Sequence, residues 1–182
     1  MTTELYGPAF FAGRSPNVVA SAAVVAPIVA ELVQPRSVLD LGCGQGEWLQ
    51  PFYDAGLAVA GVDIYPPDQP WAMRHDLTEP LYLGRQFDLV ICLEVAEHLP
   101  ASAEETLLRT IASHGDTVMF SAAVPGQEGT GHINLRPHEH WHECFQAYRY
   151  EVADVIRPRI VNDSRVSPWY RNNTYLYRRW FQ

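Results

Sequence analysis

Two carboxylates and an imidazole, Glu94, Glu97 and His98, follow the apolar run 87–93 at spacings of i, i+3 and i+4. In a helical turn that spacing puts all three side chains on one face. A second imidazole, His132, sits in the stretch 125–134, a loop rich in glycine and polar groups. If the strands carrying these segments are neighbours in a sheet, their carboxyl ends bring the four side chains to one crevice. Oxygen and nitrogen donors in that number suit a divalent cation such as magnesium, manganese or zinc. A cation gripping two adjacent oxygens of an acceptor lowers the pKa of the one that reacts and aims it. Without a metal, His132 or His98 is the candidate general base, and Glu94 completes the catalytic set. The plain structural alternative is that Glu94 and Glu97 favour a helix start while His98 packs or caps.

A second constellation lies upstream, where Val38, Leu39 and Leu41 end in glycines at 42, 44 and 46. The pattern predicts a buried parallel strand, a sharp turn whose backbone passes close to a ligand, and a helix over 45–55. A dinucleotide fingerprint would need glycine at 47, where the chain has Glu47. A carboxylate beside a helix N-terminus disfavours a phosphate and favours an uncharged or cationic ligand. S-adenosylmethionine, with a sulfonium and an amino acid tail and no phosphate, fits that requirement.

The run Val38, Leu39, Asp40, Leu41, Gly42, Cys43, Gly44, Gln45, Gly46 resembles the first motif of class I S-adenosylmethionine-dependent methyltransferases. The resemblance covers nearly the whole chain. It implies a Rossmann-like α/β fold: a doubly wound, mostly parallel seven-stranded sheet with one antiparallel strand near the end, in a single domain over 1–182. It also implies cofactor contacts at Asp40, Gly42, Cys43, Gly44, Gly46, Asp63, Ile64, Asp76, Leu77 and Leu93. Asp63 lies 21 residues beyond Gly42 at a strand's tip, where a carboxylate can accept from both ribose hydroxyls or can cap a turn. By resemblance, Asp76 meets the adenine amino group and the Leu77 amide a ring nitrogen. The pattern Glu-x-x-Glu-His with a later His is similar to that of metal-dependent O-methyltransferases acting on the terminal ribose of small RNAs. Its first part also occurs in ubiquinone-pathway O-methyltransferases. More narrowly, 87–137 looks like small bacterial methyltransferases associated with glycan synthesis, which implies a sugar hydroxyl as acceptor. Two readings from other classes stand beside this one, a non-catalytic cofactor-binding module and a nicotinamide oxidoreductase, the latter disfavoured by Glu47.

The elements that must position these residues follow from pattern and punctuation. A helix is expected from the Ser15-Pro16 start to about 33, kinked or divided at Pro27. Strands are expected at 57–63, 71–75, 87–93, 116–122, 152–156 and 173–177, and helices at 102–112 and 137–148. A long loop is expected over 157–172. Residues 1–15, with Tyr6, Phe10, Phe11 and Arg14, either lie over the site as a flap or pack on the surface. Among His138, His140, His142 and Cys144, helical spacing puts His138 and His142 on one face and the other two elsewhere, which argues against a four-ligand zinc site. One of these histidines is a candidate for the substrate pocket.

The chain of 182 residues has 47% apolar and 19% charged side chains and a net charge of -8. That balance, without any lysine-rich or stacking platform, argues against nucleic acid and anionic membrane as partners. Residues 157–182 are the exception, with six arginines against one acid, Asp163. No apolar stretch is expected to approach the roughly 20 residues of a membrane span. Three cysteines, Cys43, Cys92 and Cys144, read as unpaired, small buried residues of a reducing compartment. A cytoplasmic protein with a small-molecule acceptor is the expectation.

Overall fold

The computed structural model describes the backbone of residues 8–181 and the side chains of 16–181. Among these residues seven strands form one sheet in the order β3-β2-β1-β4-β5-β7-β6. Helix α1 (Pro8–Val33) leads to β1 (Ser37–Leu41), the short α2 (Gln50–Asp54), β2 (Ala58–Asp63) and β3 (Ala72–Arg74). Then come β4 (Leu89–Leu93), α3 (Glu104–His114), β5 (Thr117–Ser121), α4 (His138–Ala147) and β6 (Tyr150–Ala153). Two short helices, α5 (Arg157–Ile160) and α6 (Pro168–Asn173), precede β7 (Tyr175–Arg179). Only β7 runs against its neighbours, pairing antiparallel with both β5 and β6. The fold is the Rossmann-like doubly wound sheet expected from the sequence.

Strand β4 is buried at every position, as a central parallel strand covered on both faces requires. Its alternate residues feed two cores. Val90 and Cys92 join Leu39, Leu107, Phe120, Trp141 and Phe145 under α3 and α4. Leu89, Ile91 and Leu93 join Val38, Phe52, Met119 and Tyr170, with Ala22, Val25, Ala26 and Val29 of α1. Chain order reverses at β1, which pairs with β2 on one side and β4 on the other. Above the carboxyl ends of β1 and β4 the connecting segments diverge and leave a crevice.

Several expected boundaries move. Helix α1 starts at Pro8 and continues through Pro16 and Pro27. Both prolines face solvent, where water can serve the carbonyl that each leaves without an N–H partner. The flap expected over 1–15 falls on 1–7, which lie outside the described residues, and on the first part of this helix. Pro16–Val33 has a mean hydropathy of 1.8 over 18 residues, so the expectation that nothing approaches a membrane span is corrected. Its only charge is Glu31. In this structure the segment lies on the sheet, with 28% of its residues buried.

Helix α2 begins at Gln50, not at 45. Gly44 and Gly46 have left-handed φ of 53° and 90°, and the bonds Gly46 N to Cys43 O and Leu49 N to Gly46 O wind 44–49 into tight turns. Pro51 then suits the first helical turn. The loop expected over 157–172 holds α5 and α6, each with proline in its first turn. Strand β6 starts at Tyr150 because Arg149, at φ 65°, turns the chain directly out of α4. Strand β7 starts at Tyr175 because α6 extends to Asn173.

Candidate active site

The crevice at the β1–β4 switch point is a cavity of about 290 Å³. Its floor is the turn after β1, and Gly42 there shows why glycine is needed. Its φ is 86°, and a Cβ would overlap the Val95 side chain. The Gly42 and Cys43 amides donate to Val62 O, so the turn is fastened to β2. Asp63 at the end of β2 accepts from Gly44 N at 2.9 Å and from Tyr65 N at 2.8 Å. Its carboxylate therefore joins the glycine turn to the segment after β2, and its oxygens keep lone pairs for further donors. Asp76 accepts from the Thr78 amide and hydroxyl at 2.9 and 2.8 Å, a local turn that fixes its orientation.

Of the residues expected at the cofactor, Gly42, Cys43, Gly44, Asp63, Ile64, Asp76, Leu77 and Leu93 line the cavity. Asp40 and Gly46 do not. Asp40 is buried beneath the turn, and Gly46 packs against the Trp71 ring. Glu47 lies in the turn before α2, where its Oε2 accepts from Gln45 N at 3.1 Å. It lines the same cavity.

Burial, then the charges of Asp63 and Glu47, push the Asp40 carboxyl well above the usual carboxylate range. Burial also raises Asp63, against the lowering effect of its amide donors. Three carboxylates around one glycine turn form a site short of positive charge, which fits a cationic ligand and rejects a phosphate. Carboxyls with raised native pKa favour the fold while protonated and lose that contribution as pH rises through the native value. The ligand-free protein should therefore lose stability above the ordinary carboxylate range, and a cation in the cavity should restore it. The thermal stabilisation by S-adenosylmethionine should grow with pH, and more steeply than that by S-adenosylhomocysteine, which has no sulfonium. Scanning melting temperature against pH with each ligand checks this; equal slopes would contradict it.

After β4 the expected helical face does not form. Glu94 has φ 55° and its amide donates to Ser121 O, and the only helical piece is a 3₁₀ turn at Ala96–His98. Glu97, His98 and His132 nevertheless converge, with one ligand atom from each within 4.8 Å of the others. The imidazole centroids are 5.1 Å apart. Glu94 is outside that triad but lines the same cavity, and Gln127 Nε2 donates to its Oε2 at 3.4 Å.

The loop carrying His132 is tied down by Ile133 N and Asn134 N, both donating to Glu97 O. His98 Nδ1 lies 3.2 Å from Gly131 O, and His132 Nδ1 lies 3.2 Å from Gln127 O. Carbonyls only accept, so each Nδ1 donates, and in the neutral form of either ring Nε2 is the nitrogen with the lone pair. Gly129 has to be glycine because a Cβ there would strike the His132 ring. Glu97 is fully buried, its carboxylate oxygens make no hydrogen bond of good geometry, and its polar surroundings are its own amide, the Ala123 amide and the Glu94 side chain. Burial and the nearby Glu94 charge raise its pKa well above normal. A buried carboxylate of this kind calls for a proton or a cation, so the donor set fits a divalent metal.

Sequence reasoning missed Trp48, Gln127, Trp169 and Tyr170, which also line the cavity. Gln127 was within reach, since it shares the glycine-rich loop with His132. Trp169 and Tyr170 arrive from α6, far along the chain, and no local pattern marks them. The histidines of α4 stay out of the lining, so the expectation that one of them reaches the pocket is corrected. His138 and His142 stack with centroids 6.5 Å apart and bond Asn173 Oδ1 and the Tyr177 hydroxyl, held by aromatic packing away from the crevice.

Residues 19–121 match the family model described as a methyltransferase domain. The magnesium-protoporphyrin O-methyltransferase of Synechocystis is 32% identical over 167 residues, covering 79% of this chain and 69% of that protein. The chain belongs to the class I S-adenosylmethionine-dependent methyltransferases. A ubiquinone biosynthesis O-methyltransferase of Bordetella avium is 30% identical over 86 residues, or 40% of this methyltransferase and 36% of the relative. The sugar N-methyltransferase KedS8 from Streptoalloteichus shares the fold at a TM-score of 0.69 and 20% identity, over 94% of this chain and 91% of its own. The Synechocystis magnesium protoporphyrin methyltransferase with bound S-adenosylhomocysteine superposes at a TM-score of 0.66 and 22% identity, over 97% and 92%. The cofactor of this methyltransferase is S-adenosylmethionine.

Proposed function

We propose that this methyltransferase methylates an oxygen of a small acceptor with two adjacent hydroxyl or keto oxygens, a sugar being the leading class. Glu97, His98 and His132 would hold a divalent cation, with Glu94 beside them. The observation that carries this reading is the pairing of a fully buried carboxylate with two imidazoles whose Nδ1 atoms are both committed to backbone carbonyls. That is how protein metal sites orient histidine ligands. The Synechocystis and Bordetella relatives are O-methyltransferases by name, which supports the choice of oxygen.

S-adenosylmethionine supplies an electrophilic methyl on a sulfonium when bound. On the donor side, Asp63 is set to accept from the ribose hydroxyls while Gly44 and Tyr65 hold its carboxylate in place. Asp76, Leu77, Ile64 and Leu93 line the cavity, where Asp76 and the Leu77 amide would hold the adenine and Ile64 and Leu93 would give apolar contact. Asp40, its carboxyl pKa pushed up by burial and its neighbours, lies below the turn, where a cationic ligand would favour its ionised form. Trp169, Tyr170, Val95 and Leu99 wall the cavity and exclude water from the methyl's path. A divalent cation, when bound, would supply Lewis acidity that lowers the pKa of the acceptor hydroxyl. Without one, His132 Nε2 is the atom to take the acceptor proton, since its Nδ1 is occupied by Gln127 O. Alignment of acceptor and methyl in the enclosed crevice provides much of the rate.

The test is transfer of labelled methyl to panels of saccharides, catechols and amino sugars, before and after chelation and with magnesium, manganese or zinc restored. Labelling of hydroxyl acceptors, lost on chelation and regained with metal, is expected. Labelling of amines only, unaffected by chelator, would identify an N-methyltransferase and remove the metal. Cofactor binding with no transfer to any acceptor would leave a regulatory module.

A further inference from the structure

Away from the crevice, Glu104 at the start of α3 meets His140 and Cys144 of α4, all partly buried, with one ligand atom from each within 4.8 Å of the others. His140 and Cys144 are spaced i, i+4 and share a helix face. His140 Nε2 is 3.6 Å from Cys144 Sγ and 2.9 Å from Glu104 Oε2, so one ring nitrogen faces both partners. Zinc bonds of about 2.3 Å to sulfur and about 2.0–2.1 Å to nitrogen, at tetrahedral angles, put those two atoms about 3.6 Å apart. The sulfur–nitrogen pair already has that separation. The same geometry puts nitrogen and carboxylate oxygen about 3.4 Å apart, so Glu104 Oε2 has only to draw back by roughly 0.5 Å. Glu104 Oε1 is held by Asn134 Nδ2 and Arg136 Nε, each at 2.9 Å, leaving Oε2 turned toward the histidine.

We propose that Glu104, His140 and Cys144 form a second metal site, for zinc or a similar thiolate-binding cation, separate from the candidate active site. Binding releases the Cys144 thiol proton and moves the His140 proton from Nε2 to Nδ1, and water completes a four-coordinate site. Asn134 links this site to the other: its side chain holds Glu104 Oε1 and its amide holds Glu97 O. A cation at Glu104 thereby stiffens the far end of the loop that carries His132.

Cobalt(II) distinguishes the two sites, because thiolate ligation gives a near-ultraviolet charge-transfer band and the Glu97, His98 and His132 set contains no sulfur. Of the other two cysteines, Cys92 is buried in the sheet core and Cys43 in the glycine turn, where it lines the crevice; a band carried by either would survive Cys144→Ser. Metal-stripped protein titrated with cobalt should develop the band, saturating within the two equivalents that the two sites would take, and lose it when zinc is added. Cys144→Ser and His140→Ala should each abolish it, and Glu97→Gln should retain it, in variants whose circular dichroism matches the wild type. No band in the wild type, a band that survives Cys144→Ser, or a band lost in Glu97→Gln would overturn the proposal.

Discussion

Asp63→Ala should weaken S-adenosylmethionine binding about 150-fold, as expected for loss of two hydrogen bonds to a charged acceptor at roughly 1.5 kcal/mol each. Two effects add in the same direction. The carboxylate would no longer accept from the ribose, and the amides of Gly44 and Tyr65, now 2.9 and 2.8 Å from its oxygens, would lose the group that fastens the glycine turn to the end of β2. Asp63→Asn keeps one acceptor oxygen and should fall between the two. Isothermal titration with S-adenosylmethionine and S-adenosylhomocysteine measures both variants. An unchanged dissociation constant in a folded Asp63→Ala protein would remove the ribose role and leave Asp63 as a turn cap.

Glu97→Gln and His132→Ala should each lower methyl transfer by at least about 10²-fold at saturating cofactor while cofactor affinity stays within a few-fold. The glutamine is isosteric and removes the negative charge that a cation requires. Alanine at 132 removes an imidazole whose orientation depends on Gln127 O and on the absence of a side chain at Gly129. Comparison of the two variants separates the mechanisms. In a metal site both substitutions are severe and the wild type is silenced by chelator. For a general base, His132→Ala is severe, Glu97→Gln is mild, and chelator has no effect.

The scaffold was legible because its signals are local and repeated. The buried run in β4, the glycines after β1 and the acid ending β2 each follow from a side-chain period or a backbone requirement that can be read without neighbours. What escaped depends on partners far along the chain. The spacing of Glu94, Glu97 and His98 suggests a common helical face, yet the Glu94 amide is drawn to Ser121 O on β5 and its backbone turns left-handed. The cluster forms all the same, because Ile133 and Asn134 bring His132 to Glu97 through backbone bonds that no residue type announces. The start of α2 was misplaced because glycine φ angles, which sequence does not reveal, hold 44–49 in turns until Pro51 permits a helix.

The same contrast applies to α4. Periodicity alone separates His140 and Cys144 from His138 and His142. It cannot supply Glu104, which comes from α3 and makes a pair into a triad. Likewise Asn173, at the end of α6, receives His138 on one side and donates to Gln127 Oε1 at 2.8 Å on the other. That chain reaches the cavity from α6, most of which falls in the segment expected as loop, with Asn173 itself expected to start the last strand.

The most direct test is anomalous diffraction from crystals grown with manganese and S-adenosylhomocysteine. The nucleoside is expected with its ribose at Asp63, and an anomalous peak is expected among Glu97, His98 and His132, facing the sulfur across the crevice. A nucleoside in that position with no anomalous density among those three side chains would contradict the metal-assisted site.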